Sequence, residues 1–335
     1  MRDSLAPRPA SRKGNPRRNL APAEWPSRGV ADGIWGPCQT VVGRISWART
    51  CLILTTRKGS IVTRSRRQNK VKTQEFFATH PVFSLDEATR ALRPASGRRG
   101  AVQRLKHHLA ARRLKLVTRG VYAVVPPGTE PRAFEADPFL VAQAVRPDAI
   151  FSHHAALELL GAAHSAWRDC TVYTGGRQRV LRLTRGSIRF MRHPAAMKGQ
   201  PLLGTRRVER RGRILATTGP ERTLIESFRW PALAGGLGEV VESAGGFPVL
   251  DLDLVEQLLG RYRLSILWGA VGWFLESHQH AFHLHDDVLA RFESHRPRSP
   301  QYLARGLRGG TLLPRWNLIV PDSVNRRGEP DEPGT

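Results

Sequence analysis

Apolar positions fall into distinct regimes along the chain. Over residues 1–68, Pro, Arg, Ser and Gly surround isolated Trp25, Trp35 and Trp47, with no sustained helical or strand period. So little apolar surface does not offset the entropy of ordering a chain, and the segment is expected to be a disordered basic arm. Two readings fit it: an arm that follows phosphates, or translation from a start codon set too far upstream. It is not a secretory signal, because no apolar core of about 7 to 15 residues follows the basic start.

From Val71 the pattern becomes periodic. Val71, Phe76, Phe77 and Ala78 fall on one side of a short helix that Pro81 stops. Ser84-Leu85-Asp86-Glu87 has the spacing of a capping box and starts a second helix that runs through Leu92. After a break at Pro94–Gly97, the stretch Arg98–Arg113 puts Val102, Leu105 and Leu109 on one buried stripe. Its other faces are left to Arg99, Gln103, Arg104, Lys106 and His107. Leu114–Val117 and Val121–Val125 then read as β-runs closed by a Thr118-Arg119-Gly120 turn.

Three helices followed by a hairpin is the order of a winged helix-turn-helix, whose last helix enters the major groove. Residues 69–127 are therefore expected to form such a domain. Arg99, Gln103, Lys106 and His107 are its candidates for base edges, since Arg pairs with guanine and Gln with adenine. Arg112, Arg113, Lys115 and Arg119 are candidates for phosphate contacts, and Arg98 and Arg104 complete the DNA-binding set.

Residues 134–322 alternate helical and strand-like patterns, giving a mixed α/β C-terminal domain and an α+β class for the whole. Helices are expected at Asp137–Val145, at His153–Leu160 with Ser152 as N-cap, from Pro220 at N1 through Phe228, at Leu254–Tyr262 and at Ser265–Glu276. Strands are expected at Thr171–Thr174 and Ser187–Met191, around a Gly175-Gly176 turn, and at Ile214–Thr217. Residues 323–335 read as a disordered tail.

Charge sharpens this picture. The chain of 335 residues carries 53 Lys+Arg against 28 Asp+Glu, a formal +25. Residues 1–68 hold 14 against 3 and residues 69–127 hold 12 against 3, leaving 27 against 22 for the rest. The excess is thus N-terminal, and a polyanion is the expected partner. No run approaches the roughly 18 apolar residues of a membrane span. Cys38, Cys51 and Cys170 are single and far apart, which fits reduced thiols in a cytoplasmic protein rather than a disulfide framework or a zinc pair.

Catalytic signals are sparse. His278, Gln279, His280, His283, His285, Asp286 and Asp287 have the side chains of a transition-metal site without a recognised spacing. They carry the alternative reading, a nucleic-acid-processing enzyme with a divergent metal site. Ser152 lacks a Gly-x-Ser-x-Gly elbow. No Glu-x-Lys or Asp-x-Lys occurs anywhere, as a PD-(D/E)xK nuclease would need, and Glu226 and Glu242 read as polar-face or capping residues. No Gly-Lys-Ser/Thr loop is present. The expectation is a protein without catalytic residues, cofactor or metal; single-stranded RNA is a further possible partner.

Several strings in order resemble the AbiEi-type antitoxins of type IV toxin-antitoxin systems. They are Phe76-Phe77 to Pro127 with R-G-V-Y at Arg119–Tyr122, F-S-H-H-A-A-L-E-L-L-G at Phe151–Gly161, T-V-Y-T at Thr171–Thr174, G-P-E-R-T-L-I-E at Gly219–Glu226, L-A-G-G at Leu233–Gly236 and W-N-L-I-V-P at Trp316–Pro321. The resemblance covers about residues 70 to 322. It implies an autorepressor that binds inverted repeats in double-stranded DNA upstream of its own operon. It also implies a nucleotidyltransferase-like toxin encoded nearby, a genetic partner rather than a stable physical one.

Overall fold

The computed structural model describes residues 71–303 and 309–325; the expected basic arm at 1–68 and residues 326–335 of the expected tail lie outside the described residues. Helix α1 spans 71–79, and its last turns present Phe76 to the interior before Pro81 stops it. Strand β1 (Val82–Ser84) leads directly into α2 (Leu85–Leu92). There the capping box closes, with Ser84 Oγ accepting from the Glu87 amide at 3.1 Å and Glu87 Oε2 accepting from the Ser84 amide at 2.8 Å. Helix α3 (Gly97–Ala110) and strands β2 (Leu114–Thr118) and β3 (Val121–Val124) follow. The strands form an antiparallel sheet ordered β1-β3-β2. Phe76, Phe83, Leu85, Leu92, Leu105, Leu114 and Tyr122 close a small core between this sheet and the helices. Three residues are too few to show a period, so β1 has no signal in the sequence.

The turn out of α3 is made in an unusual way. Arg113 N–H donates to the His108 carbonyl and Arg112 N–H to that of Leu109, both at 3.0 Å, with Arg112 at φ 54°. This is a Schellman ending with arginine where glycine costs least.

Downstream, α4 (Pro138–Val145) is capped by Asp137, whose carboxylate accepts from the Phe139 amide at 2.9 Å. Then come β4 (Ile150–Ser152), α5 (His154–Leu159), β5 (Cys170–Tyr173), β6 (Arg179–Arg182), β7 (Ser187–Met191), β8 (Thr205–Arg210) and β9 (Arg213–Thr218). These strands make one mixed sheet ordered β6-β7-β5-β4-β9-β8. The helices α6 (Pro220–Arg229), α7 (Leu237–Gly245), α8 (Leu252–Tyr262), α9 (Ser265–Ser277) and α10 (Asp286–Ser294) follow. A small sheet of β10 (Gln301–Tyr302), β11 (Thr311–Leu313) and β12 (Leu318–Val320), and a turn of helix, α11 (Asp322–Asn325), end the described chain. The fold is α+β.

Two expectations are corrected. Ser152 is not a helix cap: it ends β4, fully buried, and α5 starts from His153, which turns the chain at φ 55° and ψ −131°. Nor are the strands at 171–174 and 187–191 hairpin partners about Gly175-Gly176. β5 and β7 run parallel, and the antiparallel partner of β7 is β6. Basic residues hid β6, Arg-Val-Leu-Arg, which is exposed except at Leu181, half-buried against the sheet core.

One core lies on the face of the large sheet that carries Phe151, Val172, Ile188 and Phe190, beneath Phe139 and Leu140 of α4. Val82, Val121 and Ala123 of the three-stranded sheet belong to the same core, so the first helices and hairpin are seated on the second part of the chain. The other core packs α6 to α10 around Phe228, Leu258, Phe274, Phe292 and Trp316. Gly272 is indispensable there, because a Cβ on it would stand 2.1 Å from the Trp316 ring. Among the described residues no helix is long and apolar enough to cross a membrane.

Candidate nucleic-acid interface

Residues 97–124 contain Arg98, Arg99, Arg104, Lys106, Arg112, Arg113, Lys115 and Arg119 and no Asp or Glu. Helical geometry sorts this charge. Ala101 and Leu105 of α3 are buried, which turns Arg99, Gln103 and Lys106, spaced i, i+4 and i+7, onto one exposed face with His107 at its margin. Arg99, Arg104 and Lys106 make no ion pair among the described residues. Arg112 and Arg113 are exposed just past the helix end, and Arg119 is exposed at the hairpin tip beside Gly120, whose φ of 78° makes the turn.

Two of the predicted residues are otherwise engaged. Arg98 forms an ion pair with Asp86 of α2. Lys115 is half-buried and its Nζ donates to the Phe134 carbonyl at 2.5 Å, tying β2 to the chain that leads into α4. The neighbouring His108 faces inward, edge-on to the Phe77 ring at 4.9 Å. Burial, and after it the neighbouring His107 and Arg113, pushes its pKa down. Carboxylates of this part lie on α1 and α2: Glu75 is exposed, while Asp86 and Glu87 are held by Arg98 and Arg213.

The His278–Asp287 group does not converge. Among the described residues no three His, Cys, Asp or Glu side chains are placed to hold one metal ion. His278 stacks on Phe274 at 4.3 Å with Nδ1 2.9 Å from the Phe274 carbonyl, and Asp286 accepts from Gln279 Nε2 at 3.0 Å.

A buried polar network in the second part has no counterpart among the sequence candidates. Arg222 and Glu226 of α6 are both fully buried and pair at 2.8 Å, and Tyr262 Oη donates to the same Glu226 oxygen at 2.5 Å. Arg222 Nη1 also donates to the carbonyls of Pro201 and Leu203, at 2.8 and 3.0 Å. Glu226 is thus no polar-face residue: α6 is buried on every side over Pro220–Phe228, which a mixed polar and apolar sequence conceals. Next to it His153 is fully buried, its Nδ1 3.0 Å from Ser152 Oγ. Burial, reinforced by Arg222 and Arg229, pushes its pKa down to about 3. Burial and the Glu226 charge push the Tyr173 and Tyr262 hydroxyls up. The i, i+4 spacing of Arg222 and Glu226 amid Leu224, Ile225 and Phe228 was the available signal.

No family model and no curated protein sequence matches this chain. Among solved structures, it is similar to the crystal structure of the RV2827C protein from Mycobacterium tuberculosis, with a TM-score of 0.53. The two are 18% identical, and the match covers 76% of this chain and 91% of that one. The likeness is one of fold.

Proposed function

We propose that this chain is a DNA-binding transcriptional regulator built on a winged helix-turn-helix, with α3 as the recognition helix and the β2–β3 hairpin as the wing. The observation that carries the reading is the exposed Arg99-Gln103-Lys106 face of α3, free of carboxylates, with Arg112, Arg113 and Arg119 at its end and on the hairpin. A face with an amide among cations can read base edges, while the flanking arginines hold phosphates. An ordinary solvated helix face would be balanced by acids at i, i+4, and this one has none.

The ordered strings from Phe76 to Pro321 extend the proposal to an AbiEi-type antitoxin, a cytoplasmic autorepressor of its own operon. On this reading its operator lies upstream of its own gene and a nucleotidyltransferase-like toxin is its genetic partner. The deciding experiment measures binding of the full chain to the duplex upstream of its own gene and to random duplex, at about 50 and 200 mM salt. The expected result is sequence-preferring binding that survives the higher salt. Equal, salt-abolished binding to both duplexes overturns the regulator, and preference for single-stranded RNA moves the function to RNA.

A further inference from the structure

One edge of the large sheet is left open. β6 is its outermost strand, and among the described residues no strand pairs with its outer side. The Leu183 N–H donates to the Gly186 carbonyl at 3.1 Å, closing the β6–β7 hairpin. Hydrogen-bonded pairs alternate along an antiparallel ladder, so Leu181 and Arg179 turn their main-chain groups to β7. Val180 and Arg182 turn theirs outward, as an unpaired edge. Beside it lies a cleft of about 1270 Å³, bounded by the end of α6, the start of α9 and β10, itself the outer strand of the small sheet. Val180, Trp230, Leu264 and Tyr302, each more than a third exposed, line the cleft. An edge protected only against aggregation needs charge; exposed apolar side chains gathered at one concavity mark a binding surface.

The edge is also strongly basic. Residues 170–208 hold nine Lys+Arg and no Asp or Glu, and the cleft lining contains no carboxylate. On β6, Arg179 lies over the Phe190 ring, on the sheet face packed under α4. Arg182 lies on the opposite face with Val180 and Arg189, since side chains alternate along a strand. Both β6 arginines are exposed, and within the hairpin only Arg185 pairs with a carboxylate among the described residues, Glu135 at 3.1 Å. A second copy of β6 laid along this edge would set arginine against arginine, which disfavours self-pairing. A strand with carboxylates opposite Arg179 and Arg182 would instead be held by them.

We propose that the β6 edge and its cleft bind an extended segment of a partner protein by strand addition, with acidic side chains opposite Arg179 and Arg182 and apolar ones opposite Val180 and Leu181. The order Arg-Val-Leu-Arg selects acidic-apolar-apolar-acidic, read in either chain direction. The main chain of the segment pairs with Val180 and Arg182, and its side chains on the Val180 face enter the apolar cleft. A nucleic-acid backbone would use the arginines but leave the outward carbonyls and the apolar wall without a match. This surface is on the second part of the chain and does not depend on α3 binding DNA.

The test follows the anisotropy of a fluorescein-labelled peptide, Thr-Glu-Val-Val-Glu-Thr, on the full chain at about 150 mM salt, with amide hydrogen exchange on the same samples. Expected is saturable binding that slows exchange of the Val180 and Arg182 amides, with Thr-Lys-Val-Val-Lys-Thr about tenfold weaker or more. Val180→Pro removes an outward N–H without touching the β6–β7 ladder, and should weaken the glutamate peptide about tenfold with thermal unfolding unchanged. Arg179→Glu with Arg182→Glu should lose the glutamate peptide and take up the lysine peptide. Arg99→Ala with Lys106→Ala should leave peptide binding unchanged. Four results overturn the proposal: no binding of the glutamate peptide up to about 1 mM, equal binding of the two peptides, binding that survives the charge reversal, or loss of binding in the α3 variant. Single-stranded DNA bound through Arg179 and Arg182 in place of the peptide also overturns it and assigns the edge to a polyanion. If Val180→Pro does not fold, the charge reversal alone decides.

Discussion

Arg213 of β9 meets Glu87 of α2 at 2.7 Å, on the carboxylate whose other oxygen closes the Ser84 capping box. The residues are 126 positions apart, so one side chain both starts a helix of the first part and joins it to the large sheet. Each is only about one-fifth exposed, at 22% and 20%, which limits solvent screening. A double-mutant cycle of Glu87→Gln and Arg213→Met in urea unfolding should give a coupling of about 1 kcal/mol. Glu87→Ala should cost about 1 kcal/mol more than Glu87→Gln, because it also removes the capping acceptor. A cycle that closes at zero would mean the ion pair does not fasten α2 to the sheet.

On α3, residues at different places should fail in different ways. Gln103→Ala and Lys106→Ala should reduce the preference for operator over random duplex by about 1 to 3 kcal/mol wherever they touch a base. Arg119→Ala should weaken both duplexes alike and lower the salt slope by about one. Arg112 offers a sharper case, since its φ of 54° strains any side chain. Arg112→Gly should stabilise the fold by about 1 kcal/mol while weakening DNA binding. Thermal unfolding and anisotropy on the same preparation separate the two effects; tighter DNA binding by Arg112→Gly would remove Arg112 from the interface.

What the sequence could and could not reveal follows from where its signals sit. Ser84 to Glu87, the Gly120 turn and Pro220 at the start of α6 act within a few residues, so their elements were legible. The inner strand β4 was not read, because its three residues are all buried and show no alternation. The parallel pairing of β5 with β7 is set by a tertiary arrangement that no local turn encodes. The α3 face was readable because its charge is continuous in sequence. The buried polar network was not, because Arg222, Tyr262 and the carbonyls of Pro201 and Leu203 are brought together only when the sheet and helices assemble.

His153 makes stability depend on pH. Its folded pKa of about 3 lies below the ordinary histidine value, so the fold holds it neutral while the unfolded chain takes up a proton below about 6.5. Its contribution is complete above the unfolded value and is lost progressively as pH falls towards the folded one. By pH 5.5 the loss from this residue alone should be about 1.4 kcal/mol. His80, His108 and His193, lowered first by burial, shift the same way and add to the slope. Chemical unfolding at pH 7.5 and 5.5 should show a smaller drop for His153→Gln than for the unaltered chain. An identical drop in the two proteins would show that His153 is not held neutral by the fold.

The Arg222-Glu226-Tyr262 network should behave as a unit, because each member is the reason another can be buried. Arg222→Met alone leaves the Glu226 carboxylate buried with only the Tyr262 hydroxyl, and should cost about 3 to 5 kcal/mol. Glu226→Leu alone strands the guanidinium and should cost a similar amount. Replacing all three together, as Arg222→Met, Glu226→Leu and Tyr262→Phe, removes every charge at once and fills the space with apolar groups. That protein should lose several kcal/mol less than the sum of the single losses, since no stranded charge remains. Additive losses in equilibrium unfolding would instead show that Arg222 acts chiefly through the Pro201 and Leu203 carbonyls, and that its pairing with Glu226 contributes little.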